Sequence, residues 1–291
     1  MIIGIPAFNE SKKIEEIITK LKNICDEIIV CNDGSTDSTG SLAEGMGAIV
    51  INHQKNLGYG AAINSIFSKA REMNPDILVT FDADGQHRTK DIHTVIQPII
   101  DEEADIVVGS RFLSSDVKMP KYRKLGVKTI TNLTNMYSEI KLSDSQSGFR
   151  AYNHKTLSEV FPTEKGMGIS TEILIKANSK KLRIKEVPIK IMYEGKTSTH
   201  NPISHGFSVI LSTIKFISTD HPLSFYGIPG LILLSIGVIF VVWVMQYYSE
   251  FGVFHPILLL IGIGFSLLGM MSLFTAIILF SIVHIVREKK V

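Results

Sequence analysis

The sequence predicts an α/β domain with a mostly parallel sheet and helices on both faces, followed by two membrane-spanning helices. Three observations support this prediction. Short β-branched runs alternate with helix-like runs in the first two thirds of the chain, and polar clusters follow the β-branched runs. The last quarter of the chain consists mainly of two long apolar runs. Alternation of this kind is typical of parallel sheets.

The first part of the chain contains five strand-like runs and four helix-like runs. The strand-like runs are MIIGI, EIIVC, AIVIN, DILVTF and DIVVGS. The helix-like runs are ESKKIEEIITKLKNI, STGSLAEGM, GYGAAINSIFSKAREM and DIHTVIQPIIDEE. Polar clusters follow the first four strands in the order PAFNE, NDGSTD, NLGYGAA and DADGQH. Because ligands of parallel sheets bind beyond the carboxyl ends of the strands, we expect these clusters to converge.

The four clusters differ in how strongly they indicate a binding site. NDGSTD also fits a simple turn with a helix N-cap, because Asp, Gly, Ser and Thr favour such turns. NLGYGAA also fits a tightly packed loop, and it lacks the Gly-Lys-Ser/Thr of a Walker loop. DADGQH supplies two carboxylates and a carboxamide, Asp82, Asp84 and Gln86. These are hard oxygen ligands suited to Mg²⁺ or Mn²⁺.

Two apolar runs near the end of the chain predict a membrane hairpin. Residues 225–248 carry no charged side chain, and none occurs between Glu250 and Arg287. Each run exceeds the roughly 20 residues that cross a bilayer core as a helix. The tail REKK favours the cytoplasmic side by the positive-inside rule. We therefore expect a protein of the cell membrane or an endomembrane with two spans and a cytoplasmic N-terminal domain.

The residues just before the first apolar run predict an interfacial helix. In 203–217, apolar residues recur at helical spacing opposite polar ones, which is typical of a helix lying on a membrane. A packed core helix is the alternative. The polar stretch 193–205 predicts a loop. The expected divisions are a cytoplasmic α/β domain at 1–200, an amphipathic juxtamembrane segment at 201–222, a two-helix transmembrane hairpin at 223–286 and a cytoplasmic tail at 287–291.

Composition excludes several classes of protein. The 30 Lys and Arg nearly balance 28 Asp and Glu, so no nucleic-acid partner is expected. The two cysteines, Cys25 and Cys31, fit a reducing compartment rather than a disulfide framework. The start MIIGIPAFNE predicts no signal peptide. The spacing of His87, His200 and His205 matches no familiar zinc motif.

The motifs PAFNE, NDGSTD, DADGQH, GSRF and DSQSGFRAY, in this order, resemble the family 2 glycosyltransferases of GT-A fold, whose sheet is Rossmann-like. Within that family the chain is similar to the polyprenyl-phosphate, or dolichol-phosphate, mannose and glucose synthases. The resemblance covers roughly residues 1–200 and is specific as a set of motifs. Processive members carry Gln-x-x-Arg-Trp. The one tryptophan here, Trp243, lies in a predicted span, which disfavours that branch.

The resemblance implies a metal-dependent enzyme that moves a hexose from a nucleotide-sugar of GDP-mannose or UDP-glucose type to polyprenyl phosphate. The implied cofactor is Mg²⁺ or Mn²⁺. The implied nucleotide-binding residues are Pro6, Phe8, Glu10, Cys31, Asp33 and Asp82. The implied metal ligands are Asp82, Asp84 and Gln86. The implied acceptor-binding residues are Arg111, Arg123, Ser147 and Arg150, and the catalytic ones are Asp84, Arg111 and Arg123.

The chain departs from the family pattern at three places. Asn32 stands where a second aspartate is usual, and Phe8 where tyrosine is frequent. The glycine-rich loop reads Gly58-Tyr59-Gly60, without the lysine common in relatives. These departures leave the choice of base open and remove a cationic contact.

The chemistry of transfer explains the residue types. A divalent ion stabilises the negative charge that develops on the leaving diphosphate, and the aspartates hold that ion. Guanidinium groups bind an acceptor phosphate with paired hydrogen bonds. Arg123, within KYRK, equally fits a basic face that meets anionic headgroups. Two other functions stay open: transfer to a lipid or glycan hydroxyl, and a non-catalytic nucleotide-binding membrane protein. The sequence does not decide the sugar, the base or the oligomeric state.

Overall fold

The computed structural model describes residues 1–114, 121–137, 141–191, 214, 218–219 and 222–288. The chain forms two compact units, Met1–Thr213 and Ile214–Val291. Three expectations lie wholly or mainly outside the described residues: the loop 193–205, the interfacial helix within 201–222 and the last residues of the tail 287–291.

The first unit is built on one sheet, which has seven strands in the described part of the chain. The strands are β1 (Ile2–Ala7), β2 (Glu27–Asn32), β3 (Ile49–Asn52), β4 (Ile77–Thr80), β5 (Ile106–Ser110), β6 (Arg150–Asn153) and β7 (Ile184–Pro188). Their order in the sheet is β3-β2-β1-β4-β6-β5-β7. Neighbouring strands are parallel except where β6 pairs antiparallel with β4 and β5. The predicted mostly parallel α/β sheet is confirmed.

Helices cover both faces of the sheet. They are α1 (Ser11–Leu21), α2 (Thr39–Gly45), α3 (Tyr59–Met73), α4 (Asp91–Ile100), α5 (Lys121–Tyr137), α6 (His154–Glu159) and α7 (Ile169–Ser179). Side chains of α1, α2 and α4 share one apolar core cluster, and those of α3, α6 and α7 share the other. Because strand side chains alternate between faces, neighbours such as Val30 and Cys31 belong to different clusters.

Within the first unit, the sequence located β1–β5 and α1–α4 but not the elements after them. The strand β6 reads RAYN and has no β-branched run, so periodicity gives it no signal. The run DIHTVIQPIIDEE was expected to be helical throughout, but α4 ends at Ile100. The chain turns there, because Glu102 adopts a left-handed backbone with φ of 55°.

The topology brings the predicted polar clusters to one edge. β1, β2, β3, β4 and β5 all point in the same direction, so the residues that follow them share the carboxyl edge of the sheet. The antiparallel strand β6 starts at that same edge, and the segment 145–149 therefore joins it.

The second unit is a helical hairpin. A single π-helical turn, Leu223–Gly227, leads into α8 (Ile228–Phe251), and α9 (Pro256–Glu288) returns antiparallel to it. The helices approach closely at small residues: a Cβ on Gly237 would lie 2.4 Å from Ser266 Oγ, and one on Gly269 2.4 Å from Leu234 N. Leu223–Phe251 and Pro256–Val283 are long and apolar enough to cross a membrane, with mean hydropathies of 2.6 and 2.4.

Candidate active site

Hydrogen bonds join the loops after β1 and β2 into one surface. Asn9 N donates to Ser35 Oγ (3.0 Å), and Asn9 Oδ1 accepts from Thr36 N (2.8 Å). Ser11 N donates to Asp37 Oδ2 (3.1 Å). Asn9 itself has a left-handed backbone with φ of 56°, a conformation that asparagine tolerates better than most residues. The two predicted clusters PAFNE and NDGSTD are therefore one rigid surface.

The last aspartate of NDGSTD has the structural role that turn chemistry predicts. Asp37 Oδ1 accepts from Thr39 N (3.0 Å) at the start of α2. Partial desolvation raises the pKa of Asp37, but the hydrogen bonds from Thr39 and Ser11 outweigh it and bring the pKa to about 2. The carboxylate is thus ionised at neutral pH and holds the turn.

Asp33 faces the neighbouring loop. It is 3% exposed, and its two carboxylate oxygens accept from Leu57 N and Gly58 N at 2.9 Å each. His53 Nδ1 lies 2.6 Å from Asp33 Oδ1. Expected as a nucleotide contact, Asp33 in this structure organises the loop that leads into α3. Its expected contact with the nucleotide stays a prediction.

The Cys31 side chain points into the core beneath α3. It is fully buried, and burial followed by the charge of Asp33 raises the pKa of its thiol to about 12. The expectation that Cys31 lines the nucleotide pocket is corrected for its side chain, because the strand directs the thiol away from solvent. Pro6, its partner in register on β1, is also buried. Phe8 is 36% exposed beyond the end of β1, so its ring can reach a ligand.

Glu10 follows β1 and Asp84 follows β4, but the two carboxylates lie close enough for the charge of one to affect the other. Burial raises the pKa of Glu10, Lys13 lowers it, and the charges of Asp84 and Asp37 raise it further. Lys13 Nζ donates to the Asp84 backbone carbonyl at 2.5 Å. Lys13 was not predicted as a site residue, although its place one turn after PAFNE puts it at this edge.

The two aspartates of DADGQH form an electrostatically strained pair. Asp84 Oδ1 accepts from Gln86 N at 2.9 Å. Burial, and then the charge of Asp82, raise the pKa of Asp84. A bound cation relieves such repulsion, so this donor set fits a divalent ion. Among the residues that the structure describes, no three His, Cys, Asp or Glu side chains converge as a metal site. Further ligands would therefore come from Gln86 or the substrate.

Asp82 is contacted by two residues that the sequence did not assign to the site. Tyr59 Oη donates to Asp82 Oδ1 (3.2 Å), and His87 Nε2 donates to Asp82 Oδ2 (3.1 Å). Burial opposes ionisation of Asp82, but His87, Tyr59 and the charge of Arg111 outweigh it and lower its pKa. Burial and the Asp82 charge raise the pKa of Tyr59, so its hydroxyl remains a donor. Spacing alone gives no signal for the Tyr59 contact.

Arg111 is held by a buried carboxylate. Its backbone N, Nε and Nη2 all bond to the Asp144 carboxylate, with the two side-chain contacts at 2.6 Å. Asp144 is fully buried, and Glu186 on β7 accepts from the backbone N–H groups of Ser143 (2.7 Å) and Asp144 (2.8 Å). The paired face of the guanidinium therefore meets Asp144 in this structure, and the expected contact of Arg111 with an acceptor phosphate stays a prediction.

Arg150 has a structural position. It is 1% exposed, and its three nitrogens donate to the carbonyls of Ser147 (2.8 Å), Ser170 (2.8 Å) and Ser145 (2.7 Å). The expectation that Arg150 contacts the acceptor is therefore corrected. Ser147 is 2% exposed, and its Oγ has no hydrogen-bond partner among the described residues. Arg123 lies in the first turn of α5, but its side chain is outside the described part of the chain.

A cavity of about 540 Å³ lies between α1 and the segment after β4. It is bounded by Asp84, Gly85, Gln86 and His87, and on the α1 side by Lys13 and Lys20. Arg88 and Lys90 also line it. The cavity is therefore open beside Asp84, and its four Lys and Arg side chains outnumber the carboxylates of Glu16 and Asp84, which suits anionic ligands.

Comparison with known proteins identifies a family and several relatives that this chain resembles. The family described as Glycosyl transferase family 2 matches residues 2–161. The UDP-N-acetylglucosamine–dolichyl-phosphate N-acetylglucosaminyltransferase of Methanococcus voltae is 38% identical, over 65% of this chain and 84% of that protein. Glycosyltransferase AglJ of Haloferax volcanii is 24% identical, over 98% of this chain and 94% of that protein.

A solved structure shows the same fold. Glucosyl-3-phosphoglycerate synthase from Mycobacterium tuberculosis, in complex with Mn²⁺, uridine diphosphate and glucosyl-3-phosphoglycerate, superposes with a TM-score of 0.59 at 20% identity. The match covers 74% of this chain and 78% of that one.

Proposed function

Because the chain belongs to glycosyl transferase family 2 and is a glycosyltransferase, we propose that it moves one sugar from a nucleotide-sugar to a polyprenyl phosphate such as dolichyl phosphate. The observation that carries this proposal is the position of Arg111. Asp144 holds its guanidinium at the carboxyl edge of the sheet, where its charge acts on Asp82. A cation fixed beside the donor carboxylates suits an acceptor phosphate.

The donor is a nucleotide-sugar of UDP or GDP type, and we place UDP-sugars first. The relative at 38% identity is named for UDP-N-acetylglucosamine and dolichyl phosphate, and the solved protein of the same fold holds UDP. In this chain the exposed ring of Phe8 offers a stacking surface for either base. GDP-mannose, the donor implied by the mannose synthases, is the second candidate.

A divalent ion, Mg²⁺ or Mn²⁺, fits beside Asp82 and Asp84, and the solved protein of the same fold holds Mn²⁺ with its nucleotide. Such an ion supplies charge stabilisation to a leaving diphosphate. Asp84 and Asp82 would hold it, with Gln86 as a further oxygen ligand. Lys13, which donates to the Asp84 backbone carbonyl, keeps Asp84 in place.

The proposed reaction inverts the anomeric carbon. A lipid phosphate oxygen attacks that carbon while its bond to the nucleoside diphosphate breaks. A phosphate monoester has a second pKa of about 6 and is already largely dianionic near neutral pH. The attack therefore needs a positioned cation rather than a general base, whereas a hydroxyl acceptor must lose a proton. The hydroxyl-acceptor alternative predicts labelling of free polyprenol.

The experiment that tests this proposal is a donor screen. Full-length protein in native membranes is offered labelled UDP-N-acetylglucosamine, UDP-glucose or GDP-mannose with dolichyl phosphate, and labelled lipid is measured. One donor is expected to label the lipid phosphate and leave free dolichol unlabelled. Labelling of free dolichol at an equal rate would show that the acceptor assignment is wrong.

The substitution Arg111→Lys is expected to raise the KM for dolichyl phosphate by about tenfold while nucleotide binding stays nearly unchanged. Lysine keeps the charge but cannot make the two-point contact with Asp144 that now orients the guanidinium. The measurement is steady-state kinetics with each substrate varied in turn.

The matched control for Arg111→Lys is Arg183→Lys. Arg183 also meets a carboxylate through two nitrogens, with contacts to Asp105 of 3.2 and 3.1 Å. It precedes β7, at the opposite edge of the sheet. Arg183→Lys should leave the KM for dolichyl phosphate unchanged. Equal effects of the two substitutions would contradict a specific role for Arg111.

We propose that α8 and α9 cross the membrane as a hairpin, with both outer ends and the catalytic unit on the cytoplasmic side. A protease site placed before Met1 and one placed after Val291 should then be cut only from the cytoplasmic side. A site inserted beside Gly252, between the two helices, should be cut only from the other side. Opposite accessibility of the two chain ends would mean that only one helix spans.

A further inference from the structure

Both carboxylate oxygens of Asp82 are held by side chains from other parts of the chain. Tyr59, the first residue of α3, donates to Oδ1, and His87, five residues after Asp82, donates to Oδ2. A carboxylate has about four lone-pair positions, so these two bonds leave capacity for ligands. Asp82 is 26% exposed at its side chain, which opens it to the site.

The His87 ring has little freedom to move. The His87 side chain is 5% exposed, and its ring lies 5.7 Å from the Phe81 ring and 5.0 Å from the Phe149 ring. Nδ1 of His87 is buried and has no hydrogen-bond partner among the described residues. The ring is therefore fixed by packing, and Asp82 is its polar contact within the described part of the chain.

Gly148 packs directly against the Tyr59 hydroxyl and the Asp82 carboxylate. A Cβ at Gly148 would lie 2.5 Å from Tyr59 Oη and 2.7 Å from Asp82 Oδ2. The backbone carbonyl of Gly148 accepts from Thr80 Oγ1 at 2.6 Å, which fixes the segment at the end of β4. Any side chain at this position would displace the hydroxyl or the carboxylate.

We propose that Tyr59 and His87 are positioning residues that fix the Asp82 carboxylate for the diphosphate and its divalent ion, with Gly148 permitting the close approach. The inference rests on the proposed function, in which Asp82 and Asp84 hold that ion. A carboxylate already fixed in one orientation loses less side-chain entropy when it binds, and residues that orient ligands in this way tune affinity. Tyr59 achieves this with a neutral hydroxyl, which leaves the negative charge of Asp82 for the cation.

The test is Tyr59→Phe in the full-length protein, which removes one oxygen atom and leaves the ring. Mn²⁺ is titrated into the detergent-solubilised protein alone, with UDP and with GDP, and free Mn²⁺ is measured by electron paramagnetic resonance. Mn²⁺ affinity and kcat/KM for the donor are each expected to fall by about tenfold. The melting temperature should stay within about 2 °C of the unmodified protein. Tyr248→Phe, at an exposed ring of α8, is the matched control and should change neither quantity.

Three further variants, at two positions, separate orientation from packing. His87→Gln keeps an N–H donor that can reach Asp82, whereas His87→Leu removes it, so glutamine should restore most of the Mn²⁺ affinity that leucine loses. Gly148→Ala should weaken Mn²⁺ binding more than Tyr59→Phe, because it moves both contact atoms. A melting temperature that falls in parallel with Mn²⁺ affinity in all three positions would overturn the proposal in favour of a packing role.

Comparing Asp84→Ala with Tyr59→Phe and His87→Leu distinguishes a wrong positioning role from a wrong metal site. If Asp84→Ala abolishes Mn²⁺ binding and transfer while Tyr59→Phe and His87→Leu bind Mn²⁺ normally, the positioning role is wrong and the metal site stands. If Asp84→Ala binds Mn²⁺ and transfers sugar normally, the metal site is wrong, and the positioning role falls with it.

Discussion

Asp84→Ala is expected to lower kcat/KM for sugar transfer by about 100-fold or more while the protein stays folded. Asp84 is partly exposed, as is Asp82, and burial followed by the charge of Asp82 raises the pKa of Asp84. Both observations indicate a carboxylate placed to be neutralised by a cation. Removing it takes away several kcal/mol of stabilisation of the leaving diphosphate, and each 1.4 kcal/mol or so changes the rate about tenfold.

The structure also explains why this substitution should not unfold the protein. The Asp84 side chain accepts one hydrogen bond, from Gln86 N, and Lys13 binds the Asp84 backbone, which alanine retains. The matched control is Asp101→Ala, at an exposed aspartate after α4 that accepts from Gln97. Asp101→Ala should transfer sugar normally. Full activity of Asp84→Ala, or of the unmodified protein in excess chelator, would remove the metal from the mechanism.

Arg150→Met is expected to be the most destabilising single substitution in the catalytic unit that we consider. It leaves the carbonyls of Ser145, Ser147 and Ser170 without their buried donor. An unsatisfied buried acceptor costs about 1–3 kcal/mol, so a loss of at least about 3 kcal/mol is expected. For a unit of this size that corresponds to a melting temperature lower by about 6–12 °C. Activity should fall as well, because the segment before β6 includes Gly148 beside Asp82.

The control for Arg150→Met is a second arginine that bonds to backbone carbonyls. Arg71 donates to Leu157 O (2.6 Å) and Val160 O (2.8 Å), but it is only half-buried, and its guanidinium lies 4.3 Å from the Phe161 ring. Water can replace its donors, so Arg71→Met should lower the melting temperature less. Thermal unfolding of full-length protein in detergent measures both. Equal shifts would show that the three carbonyls of the Arg150 site find other donors.

The acidic and the basic residues of the site differ in how far the sequence predicts their surroundings. The position of Asp82 and Asp84 was predicted from the sequence because they directly follow a buried strand, where the chain must reach the open edge of a parallel sheet. The partners that the arginines have within the protein were not predicted from the sequence. Arg111 and Arg150 were both expected to face the acceptor, but a guanidinium binds a carboxylate or a carbonyl as readily as a phosphate. Which partner each arginine has depends on segments about 20 to 75 residues away.

The sequence by itself determined the α/β order of the first unit, its polar edge and the two apolar helices, because local periodicity and charge record burial directly. Only the tertiary structure decided that β6 runs antiparallel and brings Gly148 against Asp82, that Asp33 binds the loop before α3, and that Tyr59 reaches Asp82. These contacts join residues up to 76 positions apart, as in the pairing of Ile77 with Asn153. No local pattern encodes them, since each depends on how the strands are ordered in the sheet.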